Sequence, residues 1–182
     1  MKEQTAAALA NANAAKLNAE AFVQSERAWI MEKLNFPDEI PKGSVLFVAF
    51  SFDNVGKQPG LIRNVQTRFR TQSGPLPDEP EYLPRSFIPD SQIGPYGRLH
   101  IPGKPFVVET FLEDGPLSDE TVDQINQGRL QLYVYGRILY ESAGLKGVNQ
   151  FCYQWHALTG STFKGDRAGF RKGGPPEYNK HT

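Results

Sequence analysis

One cysteine, Cys152, stands in 182 residues. An intrachain disulfide is therefore excluded, and the fold must be held by its core. A reducing compartment fits this composition without being required by it. No run of about 18 consecutive apolar residues occurs, so nothing in the sequence crosses a membrane as a helix. The start, Met1-Lys2-Glu3-Gln4 followed by alanine and asparagine, has no apolar stretch of the signal-peptide kind. The expectation is a chain that is soluble as given, or one whose anchor lies upstream of Met1 and is absent from this sequence. Net charge is lacking too: 20 Lys and Arg balance 20 Asp and Glu. That argues against a general nucleic-acid coat and leaves no long-range field to steer an acidic partner. Apolar residues are scarce at 39%, but twelve Phe and seven Tyr offset this, since each ring buries a large area. The length suits one domain with accessory segments.

What is present is clearest between Leu130 and Trp155. Leu130, Leu132, Val134, Ile138 and Tyr140 alternate with Gln131, Tyr133, Tyr135, Arg137 and Glu141. This is the period of two of a strand with one face on a core. Ser142-Ala143-Gly144-Leu145-Lys146-Gly147 reads as a turn. A second alternating run then sets Phe151, Tyr153 and Trp155 against Gln150, Cys152 and Gln154. Together these predict a β-hairpin.

Elsewhere the pattern is of short strands between turn signals. Residues 3 to about 25 form the long helical candidate, alanine-rich with no Gly or Pro. Its apolar face is thin (Leu9, Leu17, Phe22), so it is expected to attach loosely, as a partly helical leader or as a stalk. Val45–Phe52 is apolar on both faces and predicts a central strand covered on each side. Leu61–Arg70 and Phe106–Leu112 predict further strands. Between them, residues 72–103 carry seven prolines and predict a long connection without secondary structure. Ser118, Asp119 and Glu120 cap a short helix that ends at Gly128, with Leu117 placed to staple onto Val122. The organisation expected is a helix or stalk over 1–25, a mainly antiparallel β-sandwich over 26–157, and a glycine-rich basic tail over 158–182. A partly open barrel is the alternative to the sandwich.

Five short pieces carry a resemblance. They are Glu26-Arg27-Ala28-Trp29, Asn54-x-Gly56-x-x-Pro59, Tyr133-Val134-Tyr135-Gly136-Arg137-Ile138-x-Tyr140, Phe151-Cys152-Tyr153 and Tyr178-Asn179. In order and spacing the chain resembles a family of uncharacterised bacterial proteins. In these an N-terminal membrane segment and a polar helix precede an extracytoplasmic-type immunoglobulin-like β-domain. The resemblance implies that fold, and a tether at the cell envelope or membrane in the relatives. It implies no activity, so no functional residue carries over.

Cys152 and His156 share a strand face, but their Cα atoms lie about 13 Å apart at a rise of about 3.3 Å per residue. That is too far for one zinc ion unless the strand bends sharply. Cys152 is therefore expected to be structural, and no metal or cofactor is expected. No Gly-x-Ser-x-Gly elbow is present, and Gly160-Ser161-Thr162-Phe163-Lys164-Gly165 does not fit a phosphate loop. The tail interleaves Phe163, Phe170 and Tyr178 with basic residues, but its charge excess is small, and a solvated tail is expected in place of a specific nucleic-acid site. Tyrosine and arginine are the residue types that anchor interfaces. The candidate interaction surface is accordingly Tyr82, Arg85, Phe87 and Tyr96 of the proline-rich segment with Tyr133, Tyr135 and Arg137 of the hairpin. For the hairpin residues, cover by the leader helix or the proline-rich segment is the competing expectation. The functional expectation is a non-enzymatic interaction or assembly domain with a protein partner. The alternatives are an enzyme whose site lies under residues 72–103, or a structural component of a virion or appendage.

Overall fold

The computed structural model describes residues 2–36, 39–82, 97–112, 115–157 and 168–182. In chain order the elements are α1 (Lys2–Glu26), β1 (Ile30–Asn35), β2 (Phe47–Asn54), β3 (Gly60–Gln72), β4 (Arg98–His100), β5 (Phe106–Phe111), α2 (Asp119–Asn126), β6 (Gln131–Ser142), β7 (Leu145–His156) and β8 (Gly169–Lys172). A 3-10 turn, Pro176–Tyr178, follows. The strands form two antiparallel sheets, ordered β1-β2-β5 and β4-β3-β6-β7-β8.

The hairpin forms where alternation predicts it, but its turn is tighter. Ser142 pairs with Leu145, leaving Ala143 and Gly144 at φ 51° and 78°. Two successive positive φ angles match the twist of the flanking strands, and glycine takes the second without strain. Lys146 and Gly147, read as turn residues, belong to β7 instead.

The two sheets share one core. Phe50 and Phe52 of β2 meet Phe151 of β7 at ring-centroid distances of 4.8 and 5.9 Å. Val65, Leu132, Val134 and Ile138 fill the space around them. At one end Trp155, Phe170 and Phe36 pack edge to face. Helix α2 contributes Val122 and Ile125 to the same core. Its first turn is capped by the Ser118 hydroxyl, which accepts from the Thr121 backbone N–H.

Three expectations change. Strand β2 is central in its sheet, but only one of its faces meets the core; outward Phe47 is 47% exposed, and Ala49 and Ser51 are half-buried. The proline-rich connection contains a strand: β4 pairs with the start of β3. The tail from residue 168 onward is part of the fold. Strand β8 pairs with residues 153–156 of β7, and Val148 exchanges two backbone hydrogen bonds with Thr182. Between these points Cys152 N–H donates to the Asn179 side chain and its carbonyl accepts from Gly173. A strand edge needs partners for its N–H and C=O groups, and this segment supplies them along β7. Its aromatics are spent on packing, since Tyr178 is fully buried and Phe170 stacks on Trp155. They are not presented for stacking on bases.

Helix α1 is exposed from Gln4 to Ser25, with Leu9, Leu17 and Phe22 each about two-thirds exposed. Among the described residues no helix is long and apolar enough to cross a membrane. The root of α1, by contrast, is fixed. The Asn54 side chain accepts from the backbone N–H groups of Trp29 and Gly56 and donates to the carbonyls of Gln58 and His100. Gln58 N–H bonds the Glu26 carbonyl, and the Arg27 guanidinium lies 3.9 Å over the Trp29 ring. A Cβ on Gly56 would come within 2.1 Å of the Arg27 carbonyl oxygen, so only glycine allows this approach.

One carboxylate ties the sheets together. Glu32 of β1 has a fully buried side chain and accepts from Lys172 Nζ at 2.8 Å, Asn149 Nδ2 at 2.7 Å and the Tyr153 hydroxyl at 3.1 Å. Removing one partner of such a cluster strands the others in a medium of low polarity. Glu32→Ala is expected to cost roughly 2–4 kcal/mol in denaturant unfolding. Lys172→Met is expected to cost less, because the Glu32 carboxylate it leaves behind keeps its hydrogen bonds from Asn149 and Tyr153. Equal losses would show that the carboxylate adds nothing beyond its pair with Lys172. No side chain from residue 4 to 23 is buried, and deleting residues 2–23 is expected to shift unfolding by less than about 1 kcal/mol in the same assay.

Candidate functional site

On the outer face of the five-stranded sheet, register brings one row of β3 beside one row of β6 and one of β7. Gln66, Arg137 and Gln150 form a row, and Arg68, Tyr135 and Cys152 form the next. Arg70 and Tyr133 follow, beside Gln154. The residues alternate with core residues along each strand, so the pleat that buries Val65, Val134 and Phe151 turns these outward.

They are not left open. Residues 76–82 run across the face from one side, and Tyr178 enters from the other. Leu76, Tyr133, Tyr135, Cys152 and Tyr178 form a second buried cluster, with Tyr82 packed against it. The Tyr135 ring meets Tyr178 at 4.9 Å and Tyr82 at 6.1 Å, both edge to face. The Tyr135 hydroxyl donates to the Glu81 carbonyl at 3.3 Å and the Tyr178 hydroxyl to the Glu79 carbonyl at 3.4 Å. The Arg137 guanidinium sits 4.4 Å over the Tyr82 ring while its Nε donates to Gln66 Oε1. Gln150 donates to the Tyr82 hydroxyl. The Glu81 carboxylate is shared by Arg68 and Arg70, at 3.3 and 3.6 Å.

Of the residues expected at an interaction surface, the fold therefore gathers Tyr82, Tyr133, Tyr135 and Arg137 in one place. It also buries two of them: Tyr133 is 4% exposed and Tyr135 not at all. Neither is available to a partner while residues 76–82 stay in place. The cover comes from the proline-rich segment, not from α1. Arg85, Phe87 and Tyr96 lie outside the described residues. Sequence reasoning passed over Gln66, Arg68, Arg70 and Gln150, although they share parity along their strands. It read Tyr178 as part of a solvated tail and did not single out Glu81 as a site residue. Only pairing across strands could have joined them.

The chemistry of the cluster is that of a dry polar and aromatic packing layer. Burial pushes the Cys152 thiol up to about 12, so it stays protonated and is a poor nucleophile. Burial also raises the Tyr82 and Tyr178 phenols to about 12. His100, on β4, is buried, and that burial lowers its ring below the usual histidine range. His156 is exposed at the end of β7, its ring lowered by desolvation and by the charge of Arg171. Among the described residues no group of three or more His, Cys, Asp or Glu could hold a metal ion. No protein-family model matches the chain, and no curated protein or solved structure matches it.

These shifts set a pH dependence. Above about pH 9 the unfolded chain loses its thiol proton while the folded chain keeps it, so the unfolded state is favoured as pH rises. Stability is expected to fall below about pH 6.5, where the unfolded chain protonates His100 and His156 more readily than the folded one, to be level from about pH 7.5 to 9, and to fall between about pH 9 and 12, where the raised tyrosine phenols add to the slope. Denaturant melts at pH 7, 9 and 10.5 check this, and Cys152→Ala is expected to flatten the first part of the alkaline decline. A thiol reagent at pH 8 is expected to modify Cys152 only after unfolding.

Proposed function

We propose that this chain is a non-enzymatic protein-interaction domain of the immunoglobulin-like type, carried on a helical stalk and tethered to a membrane through a segment ahead of α1. Strand order supports the fold reading. The first, second and fifth strands share one sheet. The third, sixth and seventh share the other, with the fourth beside the third. Immunoglobulin-type sandwiches likewise set strands A, B and E against C, F and G; β4 lies beside the third strand, where the variable type adds C′, and β8 extends the second sheet by one.

The observation that carries the functional reading is the contrast along α1. Its root is locked by Asn54, Gly56 and Gln58, while residues 4–25, about 33 Å at a rise of about 1.5 Å per residue, are exposed. An alanine-rich helix with so thin an apolar face and no residue in the core clusters is suited to spacing a domain from what holds it. The five sequence pieces that resemble the envelope family also converge in space. One set builds the root: Arg27, Trp29, Asn54 and Gly56. The other builds the outer-face cluster: Tyr133, Tyr135, Cys152, Tyr178 and Asn179. Resembling residues that serve fold and presentation support an interaction role.

The test is site-specific photo-crosslinking in cells of the full chain behind a transmembrane helix. The probe is placed singly at exposed Glu81, Phe47, Leu99 or Val107. At least one position is expected to give a discrete protein adduct that excess purified chain competes away. Absence of a competable adduct at all four positions would refute the interaction reading.

A further inference from the structure

The covering of the outer sheet face has the form of a bound peptide. Residues 73–82 make no backbone–backbone hydrogen bond among the described residues. They are held by features that a separate peptide could offer equally well. Leu76 fills an apolar socket beside Tyr135 and Tyr178. Two tyrosine hydroxyls read successive odd-numbered main-chain carbonyls, Glu79 and Glu81. Tyr82 lies beneath the Arg137 guanidinium, and Glu81 presents its carboxylate to two arginines. Prolines at 75, 77 and 80 keep the stretch extended and lower the entropy lost on ordering it.

Charge complements the shape. The face carries Arg68, Arg70 and Arg137, and the segment on it carries Asp78, Glu79 and Glu81. The occupant nonetheless fits the arginines imperfectly. The Glu81 side chain is 66% exposed and engages each guanidinium by one long contact, and Arg70 Nη1 makes no hydrogen bond. A carboxylate seated between two arginines would form shorter, paired bonds.

We propose that the outer face of the five-stranded sheet is a docking face for an extended acidic peptide of a partner protein, with residues 76–82 occupying it in cis as a tethered stand-in. The partner segment presents an apolar anchor, an acidic residue about five positions on and an aromatic residue next to it, as Leu76, Glu81 and Tyr82 do. This assignment deepens the interaction reading and rests on it. The tethered segment sets the apparent affinity, since a partner binds only the fraction of chains whose face is uncovered.

The probe is a fluorescent peptide of residues 73–82, Ser-Gly-Pro-Leu-Pro-Asp-Glu-Pro-Glu-Tyr, followed by anisotropy against the full chain. Leu76→Ser with Tyr82→Ala weakens the cis occupant and is expected to bind the peptide at least tenfold more tightly than the unaltered chain. Adding Arg68→Gln and Arg70→Gln is expected to cancel the gain, as is 0.5 M salt. Near-ultraviolet circular dichroism checks that each variant is folded. Glu81→Gln, at an exposed side chain, is the safeguard should the double variant unfold: it is expected to raise peptide affinity about threefold. No saturable binding by a folded double variant, or no gain in Glu81→Gln, overturns the proposal and leaves the segment as cover. A concentration-dependent dimer lost in Leu76→Ser assigns the face to a second copy and also overturns it. Competable crosslinks from Phe47, Leu99 or Val107 alongside a failed peptide assay would sink this site while sparing the interaction reading.

Discussion

Strand β1 lies at the edge of its sheet, with that edge turned toward the facing sheet and away from water. Backbone groups buried there have no strand to pair with, and each must be satisfied by a side chain. The Ser142 hydroxyl accepts from Ala28 N–H and itself donates to the Pro59 carbonyl. Asn149 donates to the Ile30 carbonyl, and the Tyr140 hydroxyl is bonded to the Ile30 backbone. Glu32, from the same strand, then reaches Asn149, Tyr153 and Lys172. This seam fixes where β1 sits on β6 and β7. It thereby fixes the exit of α1 at one end and holds β8 at the other. The opposite seam is lighter, closed by a hydrogen bond between the hydroxyls of Thr67 and Thr110.

The two faces of the β6–β7 hairpin divide the labour. Its inner face holds the aliphatic and phenylalanine core that makes the sheets adhere. Its outer face holds tyrosine, arginine and a cysteine under a covering segment that meets Tyr135, Arg68 and Arg137. Tyrosine suits such a layer because it packs through its ring and still offers a hydroxyl. The long connection from β3 and the C-terminal segment both end on this face. The most elaborate polar network outside the β1 seam is therefore built by the least regular parts of the chain. Such parts carry recognition on many rigid scaffolds. An exposed helix fixed at its root and a covered sheet face are the two features on which the proposed role rests.

Several of these features were legible in the residues. Alternation located β6 and β7 and sorted their side chains correctly, because a period of two ties parity directly to a face. Ser118, Leu117 and Gly128 located α2, because caps act within a few residues of the backbone they satisfy. The exposed helix α1 follows from alanine abundance with a thin apolar stripe. Other features were misread. The run from Val45 to Phe52 suggested burial on both sides, but apolarity alone does not say whether a second layer exists to cover Phe47. The tail looked loose because glycine and lysine dominate it, yet Tyr178 and Asn179 anchor it, and two anchoring residues barely alter a composition. The three-residue strand β4 is too short for any periodicity to register.

The sequence by itself determined the local and periodic facts: mainly antiparallel strands, a hairpin, two helices, no disulfide, and which residues of β6 share a face. Each depends on neighbours within about a turn or a strand length. Tertiary structure alone decided what lies against those faces. Glu32 became a sheet-joining carboxylate only because Asn149 and Lys172 arrive from more than 100 positions away. Tyr135 became a buried floor only when residues 76–82 and Tyr178 closed over it. Side-chain chemistry is written residue by residue, but burial is a property of two surfaces meeting, and no single segment records its partner.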